Sequence, residues 1–156
     1  MHRTWSQNAW LAVAALSILG IAGCSKHTES QVVDDAALRA ADADTADWIT
    51  YGRTYSEQRF SPLKQVDEQS VGKLGLAWSK DFPDVRAYEA TPLEKDGVLY
   101  TTGAWSIVWA LDAKTGAQIW TYDPKVPKDH GKYVCCDVVN RGVALYKGRV
   151  YLGTLD

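Results

Sequence analysis

From Trp48 onward, short apolar runs alternate with Gly, Pro and Asp-Gly breaks, the pattern of strands joined by tight turns. Thr91-Pro92-Leu93-Glu94 is followed by Lys95-Asp96-Gly97 and then by Val98-Leu99-Tyr100-Thr101-Thr102. Asp-Gly supplies the two φ > 0 positions of a hairpin turn, so a hairpin is predicted there. Residues 106–111 predict a third strand and residues 117–122 a fourth. Between them, Asp112-Ala113-Lys114-Thr115-Gly116 predicts a turn in which Asp accepts from the backbone ahead of it and Gly takes the left-handed conformation. The pattern restarts with residues 142–146, the break Lys147-Gly148, and residues 149–153. Val98-Leu99-Tyr100 and Arg149-Val150-Tyr151 then fall at equivalent points of an internal repeat of roughly 45–50 residues, two unrelated hairpins being the alternative.

Four antiparallel strands in about 35 residues is the size of one propeller blade. The expected fold class is therefore all-β, an incomplete β-propeller. A lead-in strand is expected at Leu76-Ala77-Trp78. Trp120, at the end of the fourth strand, is expected to lie flat between neighbouring blades and bury on the order of 200 Å². A ring needs roughly four to eight blades. One blade and half of the next cannot close it, which implies that residues 47–156 are the truncated N-terminal part of a larger propeller.

Before Trp48 the texture differs. Residues 1–8 carry Arg3, residues 9–22 are an apolar run of 14, and Gly23-Cys24 follows. A charged start, an apolar middle and small residues at the end make an export signal over residues 1–23. The run falls short of the roughly 20 residues that a helix needs to span a bilayer. Ile21-Ala22-Gly23-Cys24 resembles the lipobox of bacterial lipoproteins, which implies acylation of Cys24 and a membrane anchor; an ordinary signal peptide with an incidental Cys is the alternative. Residues 24–46, polar and acidic with Glu29, Asp34, Asp35, Asp42 and Asp44, read as a flexible tether. Within it, Asp34 or Asp35 can cap a helix over residues 36–41.

Composition narrows the functional classes. With 17 Lys and Arg against 19 Asp and Glu, the chain has a net charge of −2 and lacks the basic footprint of a nucleic-acid binder. A hydrophobic share of 46% and a charged share of 23% exclude a disordered or collagen-like chain. Of the three cysteines, Cys135 and Cys136 are adjacent. Free thiols, a metal pair and a disulfide all remain open on these residues alone.

The unit Ala110-Leu111-Asp112-Ala113-Lys114-Thr115-Gly116-Ala117-Gln118-Ile119-Trp120 resembles the tryptophan-docking motif of the pyrroloquinoline quinone (PQQ) dehydrogenases, eight-bladed propellers that oxidise alcohols. A similar motif occurs in non-enzymatic propeller lipoproteins that act as scaffolds in outer-membrane assembly, and that is the alternative function. Cys135-Cys136-Asp137-Val138-Val139-Asn140-Arg141-Gly142 resembles the cofactor-site segment of the quinoprotein alcohol dehydrogenases. Trp48-Ile49-Thr50-Tyr51-Gly52-Arg53, Gln58-Arg59-Phe60-Ser61-Pro62-Leu63 and Tyr88-Glu89-Ala90-Thr91-Pro92-Leu93 are similar to the opening of the same family.

The resemblance implies that Cys135 and Cys136 form a vicinal disulfide lying against one face of PQQ, which an oxidising compartment permits. It implies that Arg141 pairs with a PQQ carboxylate through its planar fork and that Glu89 also bonds the cofactor. Asp137 matches a non-catalytic position of the motif. For the whole protein it implies a periplasmic enzyme that oxidises alcohols to aldehydes or ketones and passes electrons to an acceptor such as a cytochrome c. Calcium would polarise the quinone carbonyl and an Asp would take the hydroxyl proton. Both belong to later blades, so no catalytic residue or metal ligand is expected in this chain. The motifs look closest to the quinohaemoprotein subclass, which implies haem c on a C-terminal domain beyond residue 156; no Cys-x-x-Cys-His occurs here.

Overall fold

A computed structural model describes residues 32–156 except Val85 and Ala87. The export signal, Cys24 and the first residues of the expected tether lie outside the described residues. Strands β1 (Leu93–Lys95) and β2 (Val98–Thr102) pair antiparallel, with Leu93 opposite Tyr100 and Lys95 opposite Val98. Asp96 and Gly97 between them have φ of 50° and 79°, the two left-handed positions that a tight hairpin needs. Strand β3 (Val108–Asp112) pairs along the whole of β2, and β4 (Gln118–Tyr122) pairs with β3 across a register shift at Ala110/Leu111. The result is a four-stranded antiparallel sheet in the order β1-β2-β3-β4. A second hairpin, β5 (Ala144–Tyr146) and β6 (Arg149–Tyr151), repeats the construction, with φ of 47° at Lys147 and 71° at Gly148.

Strand β3 is buried from Val108 through Leu111, whereas every residue of β4 is exposed. The sheet is therefore covered around its interior strand and open at its last one. Trp120, expected between blades, keeps 37% of its surface exposed and meets the Tyr100 ring at 6.0 Å. The docking geometry itself is made by Trp78. Its indole N–H donates to the Ala113 carbonyl at 3.1 Å, and its ring lies so close to Gly116 (φ 72°) that a Cβ there would overlap it. The expected lead-in strand at residues 76–78 joins no ladder among the described residues, and Leu76 is 84% exposed. That stretch is held through the Trp78 side chain, not through a backbone ladder.

Two further boundaries differ from expectation for identifiable reasons. Ser106 does not open the third strand. Ala104–Ser106 form a 3₁₀ turn with φ of 62° at Trp105 and 59° at Ser106, and the Gly103 N–H closes this arch on the Ile107 carbonyl at 3.0 Å before β3 begins.

The tether expected through residue 46 is, over its described part, a packed strap. Asp34 caps helix α1 (Asp35–Arg39) by accepting from the Ala37 N–H at 2.9 Å. Val33 and Ala41, each 4% exposed, share a core with Ile49, Leu93 and Leu145. Buried Arg53 donates to the carbonyls of Ala41 and Asp44 at 3.3 and 2.5 Å. The Lys147 N–H donates to the Val33 carbonyl at 2.7 Å, so the strap joins the two hairpins. Val33 and Ala41, with half-buried Ala37 and Leu38 packed beside them, seat the strap, because removing apolar side chains from water is favourable and the freed carbonyls find donors. Among the described residues no helix is long and apolar enough to cross a membrane.

Candidate functional site

The hairpins and the loops between them bring distant motifs together. Arg141 and Glu89 form an ion pair, with Nη2 and Oε2 3.1 Å apart. Their side chains remain 71% and 39% exposed, so most of the guanidinium fork still faces outward. Tyr51, from the motif at residues 48–53, lies under Arg59 with the guanidinium carbon 4.1 Å from the ring centre. Hydrogen bonding with the Arg59 side chain, then with Thr91, favours the Tyr51 phenolate; together with the charges of Arg59 and Arg141 it holds the phenol below its ordinary 10.0.

Glu89 follows a side chain with a fixed seat. The Tyr88 ring stacks on Phe82 with centroids 5.2 Å apart, and Phe82 in turn lies 4.6 Å from Trp109 on β3. Gly103 makes room for this group: a Cβ there would overlap the Tyr88 ring and come within 2.7 Å of Trp109. Burial raises the Tyr88 hydroxyl pKa above 10.0, as expected for a phenol in an aromatic setting.

The other half of the site is the segment from Cys135 to Gly142. The Cys135 and Cys136 sulfurs are bonded to each other, and both residues are exposed. The segment is braced against the arch by a 2.9 Å bond from the Trp105 N–H to the Val138 carbonyl. Val138 is buried beside Ala104, Trp105 and Val126, and Lys128 covers the Trp105 ring at 3.9 Å. Asp137 (φ 70°) is ion-paired with Arg86 and accepts from the Val138 N–H at 2.8 Å, which commits its carboxylate to holding the loop.

Of the residues singled out by sequence, the structure pairs Glu89 with Arg141 and joins Cys135 to Cys136; Cys24 lies outside the described residues. Sequence reasoning missed the Phe82–Tyr88–Trp109 group and the role of Asn140. The latter had a signal in Asn140-Arg141-Gly142, since Asn two residues before Gly is a common way of closing a turn on its own side chain. Residues that fit a flat, carboxylate-bearing cofactor are present, because the exposed disulfide offers a compact wall and Arg141 offers uncommitted N–H donors. Among the described residues, no group of three His, Cys, Asp or Glu side chains could hold a metal ion.

A four-stranded blade with a docked Trp, followed by a second hairpin, places the chain among the β-propellers. Residues 48–154 match the PQQ family described as glucose/ethanol/alcohol dehydrogenase, beta-propeller domain, and the chain belongs to that family. It is 55% identical over 124 residues to quinohemoprotein alcohol dehydrogenase ADH IIB of Pseudomonas putida, covering 80% of this chain and 18% of that protein. Among solved structures it resembles quinohemoprotein alcohol dehydrogenase ADHIIG of Pseudomonas putida HK5, with a TM-score of 0.77 and 53% identity over 80% of this chain and 18% of that one. It also resembles the Comamonas testosteroni quinohemoprotein alcohol dehydrogenase, with a TM-score of 0.75 and 50% identity over 78% of this chain and 18% of that one. The chain thus spans about a fifth of the length of the relatives it matches.

Proposed function

We propose that residues 47–156 are the opening part of a longer PQQ-dependent alcohol dehydrogenase that converts alcohols to aldehydes or ketones. The observation that carries this reading is one short segment holding both the exposed Cys135–Cys136 ring and Arg141, the latter already paired with Glu89 from the neighbouring motif. When bound, the quinone would accept hydride equivalents from the alcohol carbon. This chain's own part is to hold and orient. The disulfide shields one face of a planar ring from water. Arg141 grips a carboxylate through its fork, and Glu89 keeps the guanidinium plane from turning away.

The same reading assigns calcium, its ligands and the proton-accepting Asp to other parts of the longer protein, along with haem c on a C-terminal domain. It takes residues 1–23 as the export signal, places the enzyme in the periplasm with a cytochrome c as acceptor, and gives Cys24 the lipid anchor. A scaffold of outer-membrane assembly would need the docked Trp but has no use for the disulfide followed by Arg141. The deciding experiment uses the full-length protein reconstituted with PQQ and Ca²⁺. Ethanol should then drive reduction of an artificial electron-acceptor dye, and absence of dye reduction across primary and secondary alcohols would overturn the enzyme reading.

A further inference from the structure

We propose that Asn140 is a positioning residue that sets Arg141 in the orientation needed to meet a cofactor carboxylate; this rests on the reading that Arg141 holds PQQ. The Arg141 side chain is mostly in solvent, with Glu89 as its ion-pair partner near the tip. That contact steadies the guanidinium and leaves the direction of the side chain's base to its backbone.

Asn140 supplies that constraint on both sides. Its Oδ1 accepts from the Gly142 N–H at 3.0 Å, closing a turn that spans Arg141 and fixes the peptide units flanking it. A turn of this kind at a surface would still swing as a unit. Here the amide nitrogen at the other end donates to Ser106 Oγ at 3.2 Å and to the Gly153 carbonyl at 2.8 Å. The Asn140 carbonyl accepts from Thr102 Oγ1 at 3.3 Å. Ser106 and Thr102 are wholly buried, so these partners are rigid. One residue thus ties Arg141 to the end of β2 through its carbonyl, and to the arch and the segment after β6 through its side-chain amide. A bidentate contact between two planar groups depends on such prior orientation, because whatever freedom remains must be lost on binding.

The chemistry of the amide allows the two functions to be separated. Asn140→Ala removes the turn and both amide pins together, leaving the backbone bond from Thr102. Asn140→Asp keeps an oxygen to receive the Gly142 N–H and a second one to which the Ser106 hydroxyl can donate, but sets that oxygen against the Gly153 carbonyl, so the turn persists without its pin to Gly153.

The test titrates the apo form of the full-length protein with PQQ, read by quenching of tryptophan fluorescence, for wild type, N140A, N140D, R141A and N140A/R141A. N140A should weaken binding by about tenfold or more and N140D by a smaller factor. If Asn140 acts through Arg141, the double variant should bind no more than about twofold more weakly than R141A. Wild-type affinity in N140A, or a double variant weakened by the full product of the single effects, would overturn the proposal. Wild-type affinity in R141A would instead overturn the reading on which it rests. Should N140A fail to fold by its melting curve, N140D and N140D/R141A carry the same comparison.

Discussion

In the β1–β4 sheet, left-handed backbone falls in turns at Asp96, Gly97 and Gly116, whereas in the arch and the disulfide segment it falls on Trp105, Ser106 and Asp137 as well as on Gly142. The first set is inexpensive, because Gly has no Cβ to clash and Asp tolerates such turns. Trp105 and Ser106 each cost about 1–2 kcal/mol that the surroundings must supply. The structure shows the suppliers: the Val138 carbonyl for Trp105 and, for Ser106, the Gly103–Ile107 closure of the arch with the Asn140 amide on its hydroxyl; Arg86 holds the Asp137 carboxylate. The sheet is thus specified by residues next to one another in sequence. The site is specified by cross-bracing between segments more than 30 residues apart, as the 34-residue separation of Asn140 and Ser106 shows. Damage to the sheet should therefore register as lost stability, and damage to the bracing as lost cofactor affinity.

The largest stability effect expected from this division is at the tryptophan dock. In Gly116→Ala the new methyl would overlap the Trp78 ring at a position whose φ of 72° already disfavours a Cβ. Displacing a docked Trp costs about 3–5 kcal/mol. Urea unfolding of the full-length protein should show a loss of that order, with Trp78→Ala similar and the double variant little worse than either single one. Full additivity of the two would mean that Gly116 and Trp78 do not act as a pair.

Gly103→Ala probes the seam between the two regions and should be milder. Its backbone φ is ordinary at −125°, so the damage is steric, with the Cβ driving Tyr88 away from Trp109. Overpacking of this kind costs about 1–3 kcal/mol. Because Tyr88 precedes Glu89, the near-UV circular dichroism of the aromatic group and the PQQ affinity should change together. A stability loss with unaltered PQQ affinity would show that the aromatic stack supports the sheet alone.

The same division explains what could be read from the sequence. Asp96-Gly97, Lys147-Gly148 and Asp112–Gly116 are turn signals whose chemistry is complete within five residues, and the strands beside them followed. The pairing of Glu89 with Arg141 needed a family resemblance, since nothing local connects positions so far apart. Ser106 falls outside β3 because the Gly103–Ile107 bond closes the arch around it, a closure not visible in the run from Ser106 to Leu111. The strap at residues 33–46 was hidden by its polar composition. Only Val33 and Ala41 are buried from it, and their partners Leu93 and Leu145 lie far along the chain.

The smallest expected effect tests whether the β3–β4 turn is as self-sufficient as the comparison requires. Asp112 Oδ1 accepts from the Thr115 hydroxyl at 2.7 Å, the Thr115 N–H at 2.7 Å and the Lys114 N–H at 3.1 Å. These donors, led by the Thr115 hydroxyl, favour the carboxylate and lower its pKa below the ordinary 3.8. A folded-state pKa below the unfolded one means that the charged form contributes stability above the unfolded value and loses it as pH falls through the folded value. Asp112→Asn keeps an acceptor for the turn but carries no charge. The difference in urea midpoint between wild type and D112N should therefore hold steady from neutrality to about pH 5 and shrink below about pH 4. A difference that stays constant down to about pH 3 would mean that the carboxylate's charge adds nothing to the turn. The β3–β4 connection would then owe its shape to Trp78 packed on Gly116, a contact from a distant segment, and the contrast between a locally specified sheet and a cross-braced site would fail at its clearest example.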